Sequence, residues 1–171
     1  MTDRRAFLRG ASVLLGSASL GSVMATFAAA PRKPTFFSET ELGTLRALVD
    51  LILPATDSPA ASAADTHYFI DLAIPACATP AAQKTFRAGL SALGGLANLA
   101  PAAQVAQLTA RAQQDMPLPY EQSFFKILKD YTLTGYFLSE VGATQALAYE
   151  RVPGGYQGDL PLAPNQKAWA I

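Results

Sequence analysis

The chain has 171 residues, of which 50% are hydrophobic and only 15% are charged. This composition predicts one ordered domain with a sizeable core and excludes a disordered chain. Thirteen basic side chains balance thirteen acidic ones, so the charge pattern of a nucleic-acid-binding protein is missing and we expect no nucleic-acid partner.

The N-terminus carries a pattern that resembles a twin-arginine export signal. Arg4 and Arg5 form the arginine pair, and Phe7 and Leu8 follow at the spacing of that signal. The stretch from Gly10 to Phe27 is weakly apolar and rich in Gly and Ser. It has too few strong hydrophobes for a good membrane-spanning helix, and is instead typical of the apolar part of a removable signal.

We therefore predict a twin-arginine signal peptide over residues 1–30 and a short linker over residues 31–37. Small residues allow cleavage after Ala25, Ala28 or Ala30, and the sequence leaves these alternatives open. The twin-arginine route normally exports folded proteins, often with a cofactor loaded before export. Because this chain shows no obvious cofactor site, the pattern raises the hypothesis that it exports a partner that has one.

The residues after the linker predict a helical domain over residues 38–171. Ser38 and Glu41 form a capping box, with the serine at the N-cap and the glutamate at the third helical position. Apolar residues then recur at steps of three and four up to Ile52, and Pro54 ends the helix.

Further helices are predicted along the rest of the domain, and the alternation typical of strands is missing from the sequence. They are a helix over His67–Ala76, one capped by Thr79 before Pro80, one opened by Pro101, and a broadly apolar, central helix from Tyr120. We predict a mostly α-helical, small single-domain bundle. The arm from Val152 to Ile171 is rich in Pro and Gly, so we expect it to be irregular and held by packing instead of by its own hydrogen bonds.

The stretch from Tyr131 to Tyr156 combines aromatic side chains with glycines. It holds Tyr131, Tyr136, Tyr149 and Tyr156 of the six tyrosines in the chain. Glycine at positions 135 and 142 predicts interruptions, because glycine costs a helix about 1 kcal/mol relative to alanine. Tyrosine suits surfaces that are buried against a partner, so the stretch predicts a contact surface.

The sequence offers little catalytic chemistry. His67 is the only histidine and Cys77 the only cysteine, too few for a zinc site. Cys77 is interpreted as a small buried residue or as a thiol paired with another chain. Asp57, His67 and Asp71 support an alternative hypothesis, a free-standing periplasmic helical enzyme or metal-binding protein, although turns and helix caps explain these residues better.

Several segments, in this order, resemble the gluconate 2-dehydrogenase subunit 3 family. The resemblance runs from about Phe36 to Leu162, which is essentially the whole chain after the predicted signal peptide. It is carried by Leu48–Ala60, Tyr68–Asp71, Thr134–Gly142, Tyr149 and Val152–Tyr156.

This resemblance implies a non-catalytic small subunit of an FAD-dependent sugar or sugar-acid dehydrogenase. FAD belongs to the flavoprotein large subunit and haem c to a multihaem cytochrome c subunit, and this chain binds no cofactor. The twin-arginine translocase would export the small subunit with the flavoprotein, to the periplasmic side of the inner membrane. The small subunit would act as a chaperone for its partner. The identity of the sugar stays open, because the pocket for it lies on another chain.

Residues of two regions are expected to form the partner interface. For any one of them, a place in the core of this domain is an equally good interpretation. The expected interface residues are Asp57, Tyr136, Phe137, Ser139, Glu140, Tyr149, Pro153, Gly155 and Tyr156.

Overall fold

The computed structural model describes residues 33–150, and of the arm that follows it describes residues 152, 154, 155, 159, 161 and 163–170. The predicted signal residues Arg4, Arg5, Phe7 and Leu8 lie outside the described residues, as do Pro153 and Tyr156 of the expected interface.

Five α-helices form the described part of the chain, which confirms the prediction of a mostly α-helical fold. A 3-10 turn precedes α2, α4 and α5, and a π-helical turn over Gly142–Ala146 follows α5. Among the described residues, strand-like pairing is limited to an isolated bridge between Ala148 and Trp169. The helices are α1 (Glu39–Ile52), α2 (Thr66–Cys77), α3 (Pro80–Ala92), α4 (Pro101–Asp115) and α5 (Phe124–Phe137).

Local capping chemistry sets the start of several helices. The predicted capping box of α1 is confirmed: the Ser38 N–H donates to the Glu41 carboxylate at 2.8 Å, and the Glu41 N–H donates to the Ser38 hydroxyl at 3.3 Å. The hydroxyl of Thr79 accepts the Ala82 N–H at 3.3 Å and caps α3 as predicted. The fifth helix starts later than predicted, because Ser123 is its N-cap.

Helix α5 lies at the centre of the bundle, as its broadly apolar sequence predicts, and packs against each of the other four α-helices. Its buried side chains meet those of α1, α2 and α3 in one hydrophobic core. The largest fully buried side chains include Leu45, Leu48, Ile70, Ile74, Phe86, Leu90, Phe124, Ile127 and Leu128.

Two glycines allow other helices to lie close to α5. A Cβ atom at Gly89 of α3 would stand 2.2 Å from Cγ of Phe124. A Cβ atom at Gly135 of α5 would stand 2.5 Å from a ring carbon of Phe69 in α2. The prediction that Gly135 interrupts the helix is wrong, because α5 continues through it to Phe137 and the missing side chain makes room for the Phe69 ring.

The described residues of the predicted linker lie just before α1, and residues 35–37 among them contact the helices. Phe37 is only 3% exposed and its ring centroid lies 5.7 Å from that of Phe86 in the core. The backbone N–H groups of residues 35–37 all donate to the carboxylate of Asp71 in α2. Residues 35–37 are therefore packed as part of the helical body.

The described part of the arm returns to the end of the bundle. The N–H of Ala148 donates to the carbonyl of Ala168 at 2.8 Å, and the N–H of Ala170 donates to the carbonyl of Ala148 at 2.9 Å. These bonds join the arm to a residue that precedes it, so at this bridge the rest of the domain, and not the arm's own hydrogen bonds, holds the arm. None of the described helices is both long enough and apolar enough to cross a membrane.

Candidate partner interface

Large apolar side chains are exposed at the end of α5 and in the segments that follow it. Their exposed fractions lie between 36% and 79%. Single exposed apolar side chains are common on any protein, whereas a group of them marks a candidate interaction surface. We call this group the C-terminal patch; it consists of Phe137, Leu138, Tyr149, Val152 and Trp169.

A tight turn after α5 positions the first part of the C-terminal patch. The Ser139 hydroxyl donates to the carbonyl of Tyr136 at 2.6 Å and accepts the N–H of Gly142 at 3.0 Å. A Cβ atom at position 142 would stand 2.0 Å from the same Tyr136 carbonyl oxygen. Only glycine fits there, and the chain can therefore fold back directly after Phe137.

Backbone pairing positions the second part of the C-terminal patch. The bridge between Ala148 and Trp169 sets Trp169 beside the strand-like segment that carries Tyr149. The Lys167 ammonium group also donates to the carbonyl of Gln145 in the π-helical turn. Together these bonds hold the two segments that bear the aromatic side chains next to each other.

Tyr136 is one of the expected interface residues, but its side chain is buried. Its side chain is only 2% exposed, and its hydroxyl donates to the carbonyl of Pro59 at 2.7 Å. The prediction that this side chain faces a partner is therefore wrong: the ring fills the core because the loop before α2 supplies an acceptor for its hydroxyl. The same bond places the loop that carries Asp57 beside the end of α5.

The other expected residues divide into exposed and structural ones. Asp57, Glu140, Tyr149 and Gly155 are exposed, as an interface would need, and Phe137 lies at the edge of exposure at 36%. Ser139 is half-buried, and its hydroxyl closes the turn after α5 instead of facing outward.

Leu138, Val152 and Trp169 are exposed members of the C-terminal patch that are missing from the expected interface residues. Trp169 carries the one usable sequence signal, since it is the only tryptophan of the chain and lies in an irregular segment. Exposure of Leu138 depends on where α5 ends, which periodicity alone does not fix.

The structure does not support a metal site built on Asp57, His67 and Asp71. Asp57 is exposed in a loop, where it accepts a hydrogen bond from the Thr56 hydroxyl at 2.9 Å. Asp71 is 1% exposed and both of its oxygens accept hydrogen bonds from residues 35–37. Among the residues that the structure describes, no three His, Cys, Asp or Glu side chains are grouped to hold a metal ion.

Cys77 is exposed at the end of α2. Its interpretation as a small buried residue is therefore wrong. It borders a small cavity of about 120 Å³ that Tyr120 and Tyr131 also line. Burial raises the pKa of the Tyr131 hydroxyl, and the nearby Cys77 and Asp130 raise it further. Pairing of the thiol with another chain stays a prediction.

Asp71 is the most strongly engaged carboxylate. One oxygen accepts the N–H and the hydroxyl of Thr35 at 2.6 and 2.8 Å, and the other accepts the N–H groups of Phe36 and Phe37 at 3.0 and 2.8 Å. Burial alone would raise the pKa of Asp71, but the hydrogen bonds from Phe37, Thr35 and Phe36 together hold it below its ordinary value.

The lowered pKa of Asp71 predicts a loss of stability in acid. The unfolded chain, with an aspartate pKa of about 3.9, takes up the proton before the folded chain does. The contribution of Asp71 to the free energy of unfolding is therefore fully present above about pH 4 and is lost as pH falls through the folded pKa. Urea unfolding at a series of pH values should show a smaller fall for Asp71→Asn than for the wild type. The exposed-carboxylate control Glu140→Gln should keep the wild-type fall, and an equal fall in Asp71→Asn would contradict the assignment.

Comparison with known proteins places this architecture in a family. A family model described as Gluconate 2-dehydrogenase subunit 3 matches residues 39–154, which is more than half of the chain. The match runs from the start of α1 into the C-terminal patch. No curated protein and no solved structure matched the chain in the corresponding searches. The chain belongs to the gluconate 2-dehydrogenase subunit 3 family, and this family belongs to a multisubunit dehydrogenase complex.

Proposed function

We propose that the chain is the non-catalytic small subunit of a periplasmic FAD-dependent dehydrogenase that oxidises a sugar or sugar acid of the gluconate or glucose type. The observation that carries the proposal is the C-terminal patch on a chain of this family. Tyr149 and Trp169 are of residue types that dominate binding energy at protein interfaces, and Phe137 is of a type enriched there. The patch binds the flavoprotein large subunit.

The residues of the bundle support a structural role for this chain. The buried carboxylates Asp71 and Asp115 both accept backbone N–H groups, from residues 35–37 and from Phe125 respectively. Their oxygens therefore hold segments of the fold in place. In this proposal FAD belongs to the large subunit and haem c to a multihaem cytochrome c subunit, and this chain assists the folding and stability of the flavoprotein.

Reconstitution tests the accessory role. The chain purified alone should oxidise no sugar or sugar acid with an artificial electron acceptor, and the flavoprotein should gain stability and active yield when the two are produced together. Dehydrogenase activity in the isolated chain would overturn the proposal. An equal yield of active flavoprotein with and without this chain would overturn it as well.

The proposal includes export of the flavoprotein as a passenger of this chain through the twin-arginine translocase. Replacing Arg4 and Arg5 by lysine should leave dehydrogenase activity in the cytoplasm, because the translocase recognises the arginine pair. Fractionation of cells into periplasm and cytoplasm measures the change. Arg32→Lys is the matched control, since it makes the same substitution outside the pair. Undiminished periplasmic activity in the double variant would contradict the passenger mechanism.

A further inference from the structure

Residues 35–37, which we call the strap, connect the predicted leader to α1 and are bound by a single carboxylate. Three successive backbone N–H groups and one hydroxyl of the strap donate to Asp71 at 2.6 to 3.0 Å. Asp71 is 1% exposed, so water competes little for these bonds. Bonds to a charged acceptor are stronger than those between neutral groups.

A second helix, α3, also holds the strap through Arg87. The Arg87 guanidinium of α3 donates to the carbonyl of Phe36 at 2.9 Å, and its central carbon lies 4.3 Å from the centroid of the Phe36 ring. The same side chain approaches the Glu41 carboxylate of α1 at 3.9 Å. Phe37 meanwhile inserts into the core against Phe86.

These contacts are available only in the assembled fold. Asp71 lies 34 residues from Phe37 along the sequence, and Arg87 lies 51 residues from Phe36. A bond of this kind cannot form within the strap or within a single helix. The strap therefore docks only when α1, α2 and α3 are packed together, and it should undock when that packing is lost.

We propose that the strap is a fold-dependent clasp that limits proteolytic access to the chain just before it. Four residues of the sequence separate Ala30, the last residue of the predicted leader, from the strap. A protease acting in this interval needs an extended segment on both sides of the cleaved bond, and the docked strap withholds part of that segment. The clasp itself does not depend on the proposed function; only its use in export rests on it. In export, the access of a protease to the end of the leader would depend on whether the helical domain is folded.

Limited proteolysis of the full chain, produced in the cytoplasm with its leader attached, tests the clasp. Trypsin cleaves after Arg32, whereas the bond between Lys33 and Pro34 resists it. The rate at which the fragment starting at Lys33 appears, followed by mass spectrometry, therefore measures opening of the strap. Asp71→Asn should raise this rate about tenfold, because cleavage follows the population of the open form.

Two further variants make the test selective. Asp115→Asn is the matched control. Asp115 is also buried and accepts a backbone N–H, but that N–H belongs to Phe125 in α5 and not to the strap. The rate of cleavage after Arg32 in this variant should stay within about twofold of the wild-type rate. Arg87→Ala removes the second contact and should raise the rate a few-fold while circular dichroism stays unchanged.

An equal increase of the cleavage rate in Asp71→Asn and Asp115→Asn would overturn the clasp, because it would show that loss of either buried carboxylate loosens the whole fold. A wild-type rate in Asp71→Asn would overturn it as well. If Asp71→Asn does not fold, Arg87→Ala decides, and a wild-type rate there overturns the proposal. The twin-arginine variant tests export separately, so the clasp and the export mechanism can fail independently.

Discussion

Gly89→Ala should lower the free energy of unfolding by about 3 kcal/mol, as overpacking of a well-packed core does. The new Cβ atom would stand 2.2 Å from Cγ and 2.6 Å from Cβ of Phe124. These atoms form the root of a fully buried side chain and cannot swing away, so α3 and α5 would have to separate. The gain in helix propensity, about 1 kcal/mol, is too small to offset this. Urea unfolding followed by circular dichroism measures the difference.

Gly43→Ala is the matched control for this prediction. Gly43 lies within α1, and a Cβ atom there would meet no other heavy atom within 4 Å. The same substitution should therefore stabilise the chain by up to about 1 kcal/mol, through helix propensity alone. Two changes of the same sign would show that close packing of α3 on α5 does not decide the outcome.

Replacing Phe137, Tyr149 and Trp169 together by alanine should weaken binding of the flavoprotein subunit by about 100-fold or more. Truncating a hot-spot side chain at an interface costs at least about 2 kcal/mol, and each 1.4 kcal/mol corresponds to about a tenfold change in affinity. Titration of the purified flavoprotein with the labelled chain measures the dissociation constant, and a thermal melt checks that the variant folds.

Three other exposed apolar side chains provide the control for the patch. Leu72, Val105 and Met116 are 59%, 53% and 66% exposed and lie outside the C-terminal patch. Their joint replacement by alanine removes a similar kind of surface and should leave affinity unchanged. Wild-type binding by the patch variant, or an equal loss in the control, would show that the flavoprotein binds elsewhere.

The parts of the fold that could be predicted from sequence are those set by local chemistry. Ser38 with Glu41 and Thr79 with Pro80 define helix starts through bonds between residues a few positions apart. The start of α5 was harder, because the residues from Tyr120 carry an apolar pattern but form a 3-10 turn before the true cap at Ser123.

The parts that could not be predicted depend on distant residues. The Tyr136 side chain is buried because Pro59, 77 residues earlier, supplies a carbonyl acceptor. Gly135 belongs to a continuous helix because Phe69 of α2 occupies the space that a side chain would need. Asp71 is a partner of the strap only after α2 has packed beside it. Sequence patterns identified the region of the candidate interface, whereas these long-range contacts decide which of its side chains are exposed.

Trp169 provides a spectroscopic probe of the candidate interface. It is the only tryptophan of the chain, it is 62% exposed, and the pairing with Ala148 fixes the backbone beneath it. Biosynthetic incorporation of fluorotryptophan would thus give a single fluorine resonance from the C-terminal patch. That resonance can be followed while an unlabelled flavoprotein is added, since the tryptophans of the partner carry no fluorine. The chemical shift of one nucleus would then test whether the C-terminal patch meets the proposed partner.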